Sequence, residues 1–137
     1  MSNVLVITTS LRPNSNSDIL AARLIAGAKS AKHSVRHISI KGKDIGFCTG
    51  CLSCRETKRC VIRDDVTGIL KQIRRADTLV FVTPIYFYNM SGQMKTLLDR
   101  LHPLYRDEYS FRNVYILSVA ENDGDFVPEI AANGVEA

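Results

Sequence analysis

Short apolar runs alternate with amphipathic segments along the chain. Residues 3–7, 78–82 and 114–120 are rich in β-branched and aromatic residues, a pattern typical of strands that are covered on both faces. Residues 33–40 instead mix apolar with polar positions, which predicts a half-exposed edge strand beside the first one. Strands of this kind belong to a parallel sheet.

Helical spacing fills the segments between these strands. Apolar residues recur at i, i+3, i+4 and i+7 over 66–73 and again over 94–101, and a third helix is predicted from about 18 to 31. The alternation implies right-handed crossovers and a doubly wound open α/β sheet, whose ligand site lies beyond the carboxyl ends of the strands. The predicted N-caps are Ser17 or Asp18, Asp64 or Asp65, and Ser91.

Composition narrows the class of protein. With 137 residues, of which 45% are hydrophobic and 23% charged, residues 1–137 are expected to form one domain with a single core. The net charge of +4 suits a phosphate-bearing ligand but falls short of a nucleic-acid surface. The N-terminus shows neither a basic leader nor a spanning helix. We therefore expect a cytoplasmic protein without a nucleic-acid or membrane partner.

The loop after the first strand, "TTSLRPNSNSD", is rich in hydroxyl groups and contains no glycine. The lack of glycine excludes the dinucleotide-binding and Walker phosphate loops, which need glycine to bring the backbone against phosphate. Hydroxyls and free N–H groups at a helix start can still hold a terminal phosphate, with Arg12 adding positive charge. An ordinary polar turn that caps a helix fits the residues equally well.

The segment after the third strand, "TPIYFYNMSGQMKTLLDR", places three adjacent aromatics behind a Thr-Pro pair that is predicted to end the strand. Tyr86, Phe87 and Tyr88 fit either a planar ligand or a subunit contact. No Ser/His/Asp set is visible in the sequence, and no catalytic acid or base is predicted.

All four cysteines, Cys48, Cys51, Cys54 and Cys60, fall within thirteen residues as C-x2-C-x2-C-x5-C. Three ligands at C-x2-C-x2-C can curl one loop around a cubane face, so the spacing favours a [4Fe–4S] cluster over zinc. Structural zinc usually uses two C-x2-C pairs held apart by a longer insert, and no histidine lies nearby in the sequence. A close-packed loop without metal is a further interpretation, in which neighbouring basic residues lower the thiol pKa values if they face inward. These basic residues are Arg55, Lys58, Arg59 and Arg63, while His33, His37 and His102 are predicted to be surface or capping residues.

The two loop motifs together resemble those of the flavodoxin-like NAD(P)H-dependent FMN reductases, and the cysteine segment resembles that of the iron–sulfur flavoproteins in the same superfamily. The resemblance runs from Val4 to about Ala120. It implies FMN, with its phosphate held by the first loop and its ring against the segment after the third strand. The implied FMN residues are Ser10, Arg12, Ser15, Asn16, Ser17, Pro84, Ile85, Tyr86, Phe87, Tyr88, Asn89, Met90, Ala120 and Glu121, although Met90 could equally fill the core.

The function that the resemblance implies is an FMN-dependent oxidoreductase that passes electrons from NAD(P)H through flavin to a quinone, a flavin or another acceptor. One alternative is an electron carrier that uses a [4Fe–4S] cluster and a protein partner. Another is a non-catalytic fragment or assembly module.

Flavodoxin-like folds order their strands 2-1-3-4-5, but the tail of this chain offers a turn and one short helix from Val127, with no apolar run for a fifth strand. We therefore expect the order 2-1-3-4, with residues 114–120 as an exposed edge. Such an edge favours a homodimer or a larger homo-oligomer that covers it.

Overall fold

The computed structural model describes residues 1–121 and 126–136, and it has the predicted α/β architecture. Four parallel strands lie in the order β2-β1-β3-β5, and a short strand β4 pairs antiparallel with the end of β3. In the numbering of the predicted strands this is the order 2-1-3-4, as expected. The strands are β1 Asn3–Thr8, β2 Ser34–Ser39, β3 Thr78–Tyr86, β4 Asn89–Met90 and β5 Asn113–Val119.

Helices connect the strands and cover both faces of the sheet. The segment between β2 and α3 holds the cysteines and forms only one short helical turn. The helices are α1 Asn16–Ser30, α2 Cys54–Thr57, α3 Val66–Arg75, α4 Gly92–Asp99, a 3-10 turn at His102–Leu104, and α5 Phe126–Glu136.

Alternation along the central strands divides the core into two layers. Leu5, Ile7 and Phe81 point to the side of α3, α4 and α5, where every residue of the predicted α3 stripe is buried. Val6 and Val82 point to the other side, where they pack with Ala21 of α1. Because successive strand residues face opposite sides, both faces of β1 and β3 are removed from water, and this burial is the main stabilising term.

Two element boundaries differ from the sequence prediction. Strand β3 does not end at Thr83–Pro84 but continues to Tyr86, because Ile85 and Tyr86 pair back with Met90 and Asn89 of β4. Helix α1 begins before the predicted cap, because the Ser15 hydroxyl already accepts the N–H of Asp18. The Ser91 cap is confirmed, since its hydroxyl accepts the N–H of Met94.

Strand β5 is an edge within the described part of the chain, where it pairs with β3 alone. Val114 and Tyr115 expose 43% and 55% of their surface, although the sequence pattern suits burial on both faces. No helix among the described residues is long and apolar enough to span a bilayer.

Candidate functional site

The first loop lies between β1 and α1 at the carboxyl edge of the sheet. Ser10, Ser15 and Ser17 are buried, whereas Arg12 and Asn16 are exposed. The Ser15 hydroxyl accepts the Asp18 N–H at 3.1 Å, and the Asp18 carboxylate accepts the Ser15 N–H at 3.4 Å. This capping box uses part of the helix start, as the polar-turn interpretation predicts.

The rest of the loop keeps its polar groups available. Among the described residues, neither the Ser10 nor the Ser17 hydroxyl has a hydrogen-bond partner, and no ion pair involves Arg12. Ser17 lies in the first turn of α1, where backbone N–H groups have no helical acceptor. Two hydroxyls, free N–H groups and a guanidinium form a donor set that suits a phosphate dianion.

A buried polar network ties this loop to the start of α4. The Thr9 hydroxyl donates to the Val82 carbonyl at 3.1 Å and lies 3.3 Å from the Ser91 hydroxyl. The Gln93 side-chain amide donates to the Thr9 carbonyl at 2.8 Å. Thr83 completes the network, since its hydroxyl accepts the Ser91 N–H at 3.1 Å. Sequence reasoning missed this network, because Thr9 and Gln93 are 84 residues apart.

The three adjacent aromatics lie in the tight hairpin between β3 and β4. Tyr86 pairs with Asn89, so Phe87 and Tyr88 form a two-residue turn, with φ of 46° and 64°. Two positive φ angles are those of a type I′ turn, which usually carries Asn or Gly. Phe87 is 95% exposed, while Tyr86 and Tyr88 are about half exposed. Whether a ligand or a subunit covers these rings stays a prediction.

The residues flanking the hairpin are arranged around it. Pro84 pairs with Val119 of β5, and Ala120 and Glu121 follow directly after the end of this pairing. The Met90 side chain is buried in the core, as the core-filling alternative predicts, and its N–H donates to Asn89 Oδ1 at 2.7 Å. The predicted ring-binding residues therefore meet at one end of the sheet, at the same edge as the first loop.

The cysteines are placed unequally. Cys48 and Cys51 are exposed, while Cys54 and Cys60 are partly buried. Burial raises the pKa of the Cys54 thiol, and the neighbouring Cys60, Cys48 and Cys51 raise it further. The predicted lowering depended on basic residues that face inward, and Arg55, Arg59 and Arg63 are exposed instead. Hydrogen bonds from the Ser53 N–H and hydroxyl lower the pKa of the Cys51 thiol.

His102 proves to be a neighbour of the cysteines. Its Nδ1 lies 3.6 Å from the Cys54 sulfur, and the Lys58 ammonium donates to the carbonyl of Tyr105 at 3.0 Å. The prediction of a surface or capping residue did not include this contact, although no three metal-ligating side chains come together among the described residues. A residue 48 positions away along the chain gives no spacing signal that sequence reasoning could use.

A buried ion pair lies at the base of the cysteine segment. The side chains of Arg100 and Asp64 are 0% and 2% exposed, and their atoms approach to 2.6 Å and 3.0 Å. Burial alone would raise the pKa of Asp64, but hydrogen bonds from Arg100, Gly46 and Val66 hold it below its usual value. Asp64 is thus more than the helix cap that the sequence predicts, although it does accept the Val66 N–H.

The four thiols form no single-ion metal site among the described residues, whereas a [4Fe–4S] cluster, which takes one thiolate per iron, stays a prediction. All three other cysteines lie near enough to Cys54 to affect its pKa. Within residues 1–121 and 126–136, however, no three His, Cys, Asp or Glu side chains are close enough together to hold one metal ion. We therefore derive no electron-transfer step through an iron–sulfur cluster.

Comparison with known proteins places the chain among flavoproteins. Residues 2–129 match the family model for NADPH-dependent FMN reductases. The chain belongs to this family. An iron–sulfur flavoprotein of Methanocaldococcus jannaschii is 36% identical over 110 residues, which are 80% of this chain and 56% of that protein. The iron–sulfur flavoprotein of Methanosarcina thermophila is 29% identical over 107 residues, 78% of this chain and 56% of that protein. This family member thus spans about half the length of these relatives.

Solved structures share its fold. The NAD(P)H:quinone oxidoreductase from Methanothermobacter marburgensis superimposes with a TM-score of 0.76 at 16% identity, covering 98% of this chain and 72% of that chain. An azoreductase from Bacillus anthracis gives a TM-score of 0.73, also at 16% identity, over 99% of this chain and 79% of that chain. At this level of identity the likeness establishes the flavodoxin-like fold of this FMN reductase family member.

Proposed function

We propose that the chain binds FMN at the carboxyl edge of its sheet and acts as an NAD(P)H-dependent oxidoreductase. The observation that carries the proposal is the pair of unpartnered hydroxyls on the buried residues Ser10 and Ser17, beside Arg12, in a loop that the family model covers. When bound, FMN would accept hydride from NAD(P)H and pass electrons to a quinone, a flavin or another acceptor.

The chain's own groups then have two tasks, to bind the phosphate and to orient the ring. The first loop binds the phosphate through Ser10, Arg12 and Ser17, with the positive end of α1 favouring the dianion. The hairpin and Ala120 orient the ring, since backbone N–H groups at this edge can donate to its polar rim while Tyr86 and Tyr88 cover a face. No side chain needs to move a proton in this scheme.

The test replaces the donors that have no structural partner. Arg12→Ala combined with Ser17→Ala should weaken FMN binding by about 1–3 kcal/mol, because charge-assisted hydrogen bonds to phosphate are lost. Ser15 is left intact, since its hydroxyl also caps α1. Arg23→Ala is the matched control, because it removes the same charge from an exposed position on α1.

The measurement is quenching of flavin fluorescence during titration of the apoprotein. The control variant should bind FMN as the wild type does. Unchanged affinity in the double variant would falsify the phosphate assignment, and a wild type that binds no flavin would favour a non-catalytic module.

The second candidate function, a carrier with a [4Fe–4S] cluster, rests on the four closely spaced cysteines and on the relatives named as iron–sulfur flavoproteins. Analysis of iron and acid-labile sulfide in anaerobically purified protein separates it from the flavin enzyme. Stoichiometric iron and sulfide would support the cluster on the cysteine segment. Their lack, in a protein that binds FMN, would leave the thiols without metal.

A further inference from the structure

We propose that Arg100 is a positioning residue that fixes the cysteine loop, defined here as residues 47–61, at a set distance from the proposed flavin edge. Its guanidinium donates to the Gly46 carbonyl at 2.8 Å and to the Ile62 carbonyl at 3.4 Å. These two carbonyls stand immediately before and after the loop. One side chain therefore joins both ends of the loop.

Asp64 aligns the guanidinium for this task. Each Asp64 carboxylate oxygen accepts a hydrogen bond from one guanidinium nitrogen of Arg100. The Oδ2 atom also accepts the Gly46 N–H at 2.9 Å. A planar bidentate pair restricts the orientation of the Arg100 fork more than a single contact would. The arrangement thus fixes the direction of the donors and not only their charge.

The remaining guanidinium nitrogen points to the same role. Arg100 Nε is buried and has no hydrogen-bond partner of good geometry among the described residues. The Cys60 thiol lies close enough to help raise the pKa of Arg100, although burial opposes that rise and Asp64 is the stronger partner. Cys60, two residues before Ile62, is thus the thiol of the loop that interacts with the buried cation.

Arg100, Asp64 and the carbonyls of Gly46 and Ile62 together form a clasp. Helix α4 links this clasp to the proposed flavin edge. Arg100 follows the last residue of α4, and the first residues of α4 belong to the Thr9–Thr83–Ser91–Gln93 network. An eight-residue helix is about 12 Å long and stiff. The cysteine loop and the first loop are therefore attached to opposite ends of helix α4. The contacts of Arg100 are independent of the proposed function, but the role of the distance between the cysteine loop and the flavin edge rests on it.

The first test removes the clasp without leaving a buried charge. In Asp64→Asn combined with Arg100→Met, both charges disappear together, the amide oxygen can still cap Val66, and Met fills a similar volume. Replacing both partners of a buried pair in this way often preserves the fold. The matched control is Lys95→Met combined with Asp99→Asn, an exposed ion pair on the same helix.

The readout is the site-resolved rate of iodoacetamide labelling of the full chain, measured by mass spectrometry at fixed pH. In the wild type, Cys54 and Cys60 should react more slowly than the exposed Cys51. In the clasp variant, Cys60 should react at least ~10-fold faster and Cys51 at a similar rate to before, because the loop ends are released. The control should change each rate by less than about twofold.

Charge alone predicts the opposite sign. Losing a neighbouring cation makes a thiol less reactive, so faster labelling of Cys60 reports a shift of the loop and not a change of charge. Unchanged or slower labelling in a folded clasp variant would overturn the proposal. An unfolded clasp variant would also overturn it, because the pair would then belong to the stability of the whole fold.

An FMN titration of the same variant completes the test. We expect affinity within about threefold of the wild type, because the contacts at the first end of α4 are untouched. A large loss of affinity with unchanged labelling would count against the clasp. If the wild type binds no FMN, the proposed function fails, while the labelling result still decides whether Arg100 positions the loop.

Discussion

Replacing the two residues of the hairpin turn should raise the free energy of unfolding and lower the affinity for FMN. Phe87 and Tyr88 both hold positive φ angles, which cost a residue with a side chain about 1–2 kcal/mol each. In the variant Phe87→Asn with Tyr88→Gly, the turn carries the pair that type I′ geometry favours. The relieved strain is therefore about 2–4 kcal/mol for the two residues.

Losses at both positions, including the contacts of Tyr88, reduce this gain. The Phe87 and Tyr88 rings make an edge-to-face contact at 6.0 Å, worth about 0.5–1.5 kcal/mol. The new glycine lowers the free energy of unfolding by about 0.5–1 kcal/mol, because it loses more conformational entropy on folding. We therefore expect a net stabilisation of about 1 kcal/mol for the chain without FMN.

Urea unfolding followed by circular dichroism measures this change as a higher midpoint with an unchanged slope. Phe47→Asn is the control, because it removes an exposed ring from a residue without a positive φ and should bring no gain. FMN affinity of the turn variant should fall by about 0.5–1.5 kcal/mol through the lost rings. A variant that is less stable than the wild type would refute the strain argument, and unchanged FMN affinity would refute the placement of the rings.

Two further predictions concern the core and the sheet edge. Asp64→Asn alone should cost about 3–5 kcal/mol at neutral pH, because it leaves Arg100 buried without its counter-ion. The folded state lowers the pKa of Asp64, so the ionised carboxylate stabilises the fold above the unfolded pKa near 4, and this stabilisation disappears as the pH falls through the folded pKa. The urea midpoints of variant and wild type should therefore converge in acid. A loss of stability below about 1 kcal/mol at neutral pH would contradict the prediction. At the other end of the sheet, the exposed β5 edge should make the chain self-associate, and Tyr115→Lys should shift it toward monomer in sedimentation velocity. A wild-type monomer at all concentrations would be the contrary result.

Local pattern determined the fold of this protein. Short apolar runs mark β1, β3 and β5, mixed apolar and polar positions mark β2, and apolar residues at i, i+3, i+4 and i+7 mark α3 and α4. Burial of one face or of both dictates these patterns. The phosphate-binding role of the first loop stays a prediction, since its residues also form an ordinary helix cap. The Ser91 cap followed from the same kind of short-range chemistry.

Tertiary structure decided what lies between these elements. Neither the His102 contact with Cys54 nor the Arg100 clasp on Gly46 and Ile62 leaves a spacing signal, because each joins segments that are distant along the chain. The extension of β3 to Tyr86 likewise depended on pairing with β4, which overrode the stop that Thr83–Pro84 predicts. The periodicity of the sequence indicates whether a residue is buried. The partner of a buried polar group is decided only when distant segments pack together, so the surroundings of the thiols could be seen only in the structure.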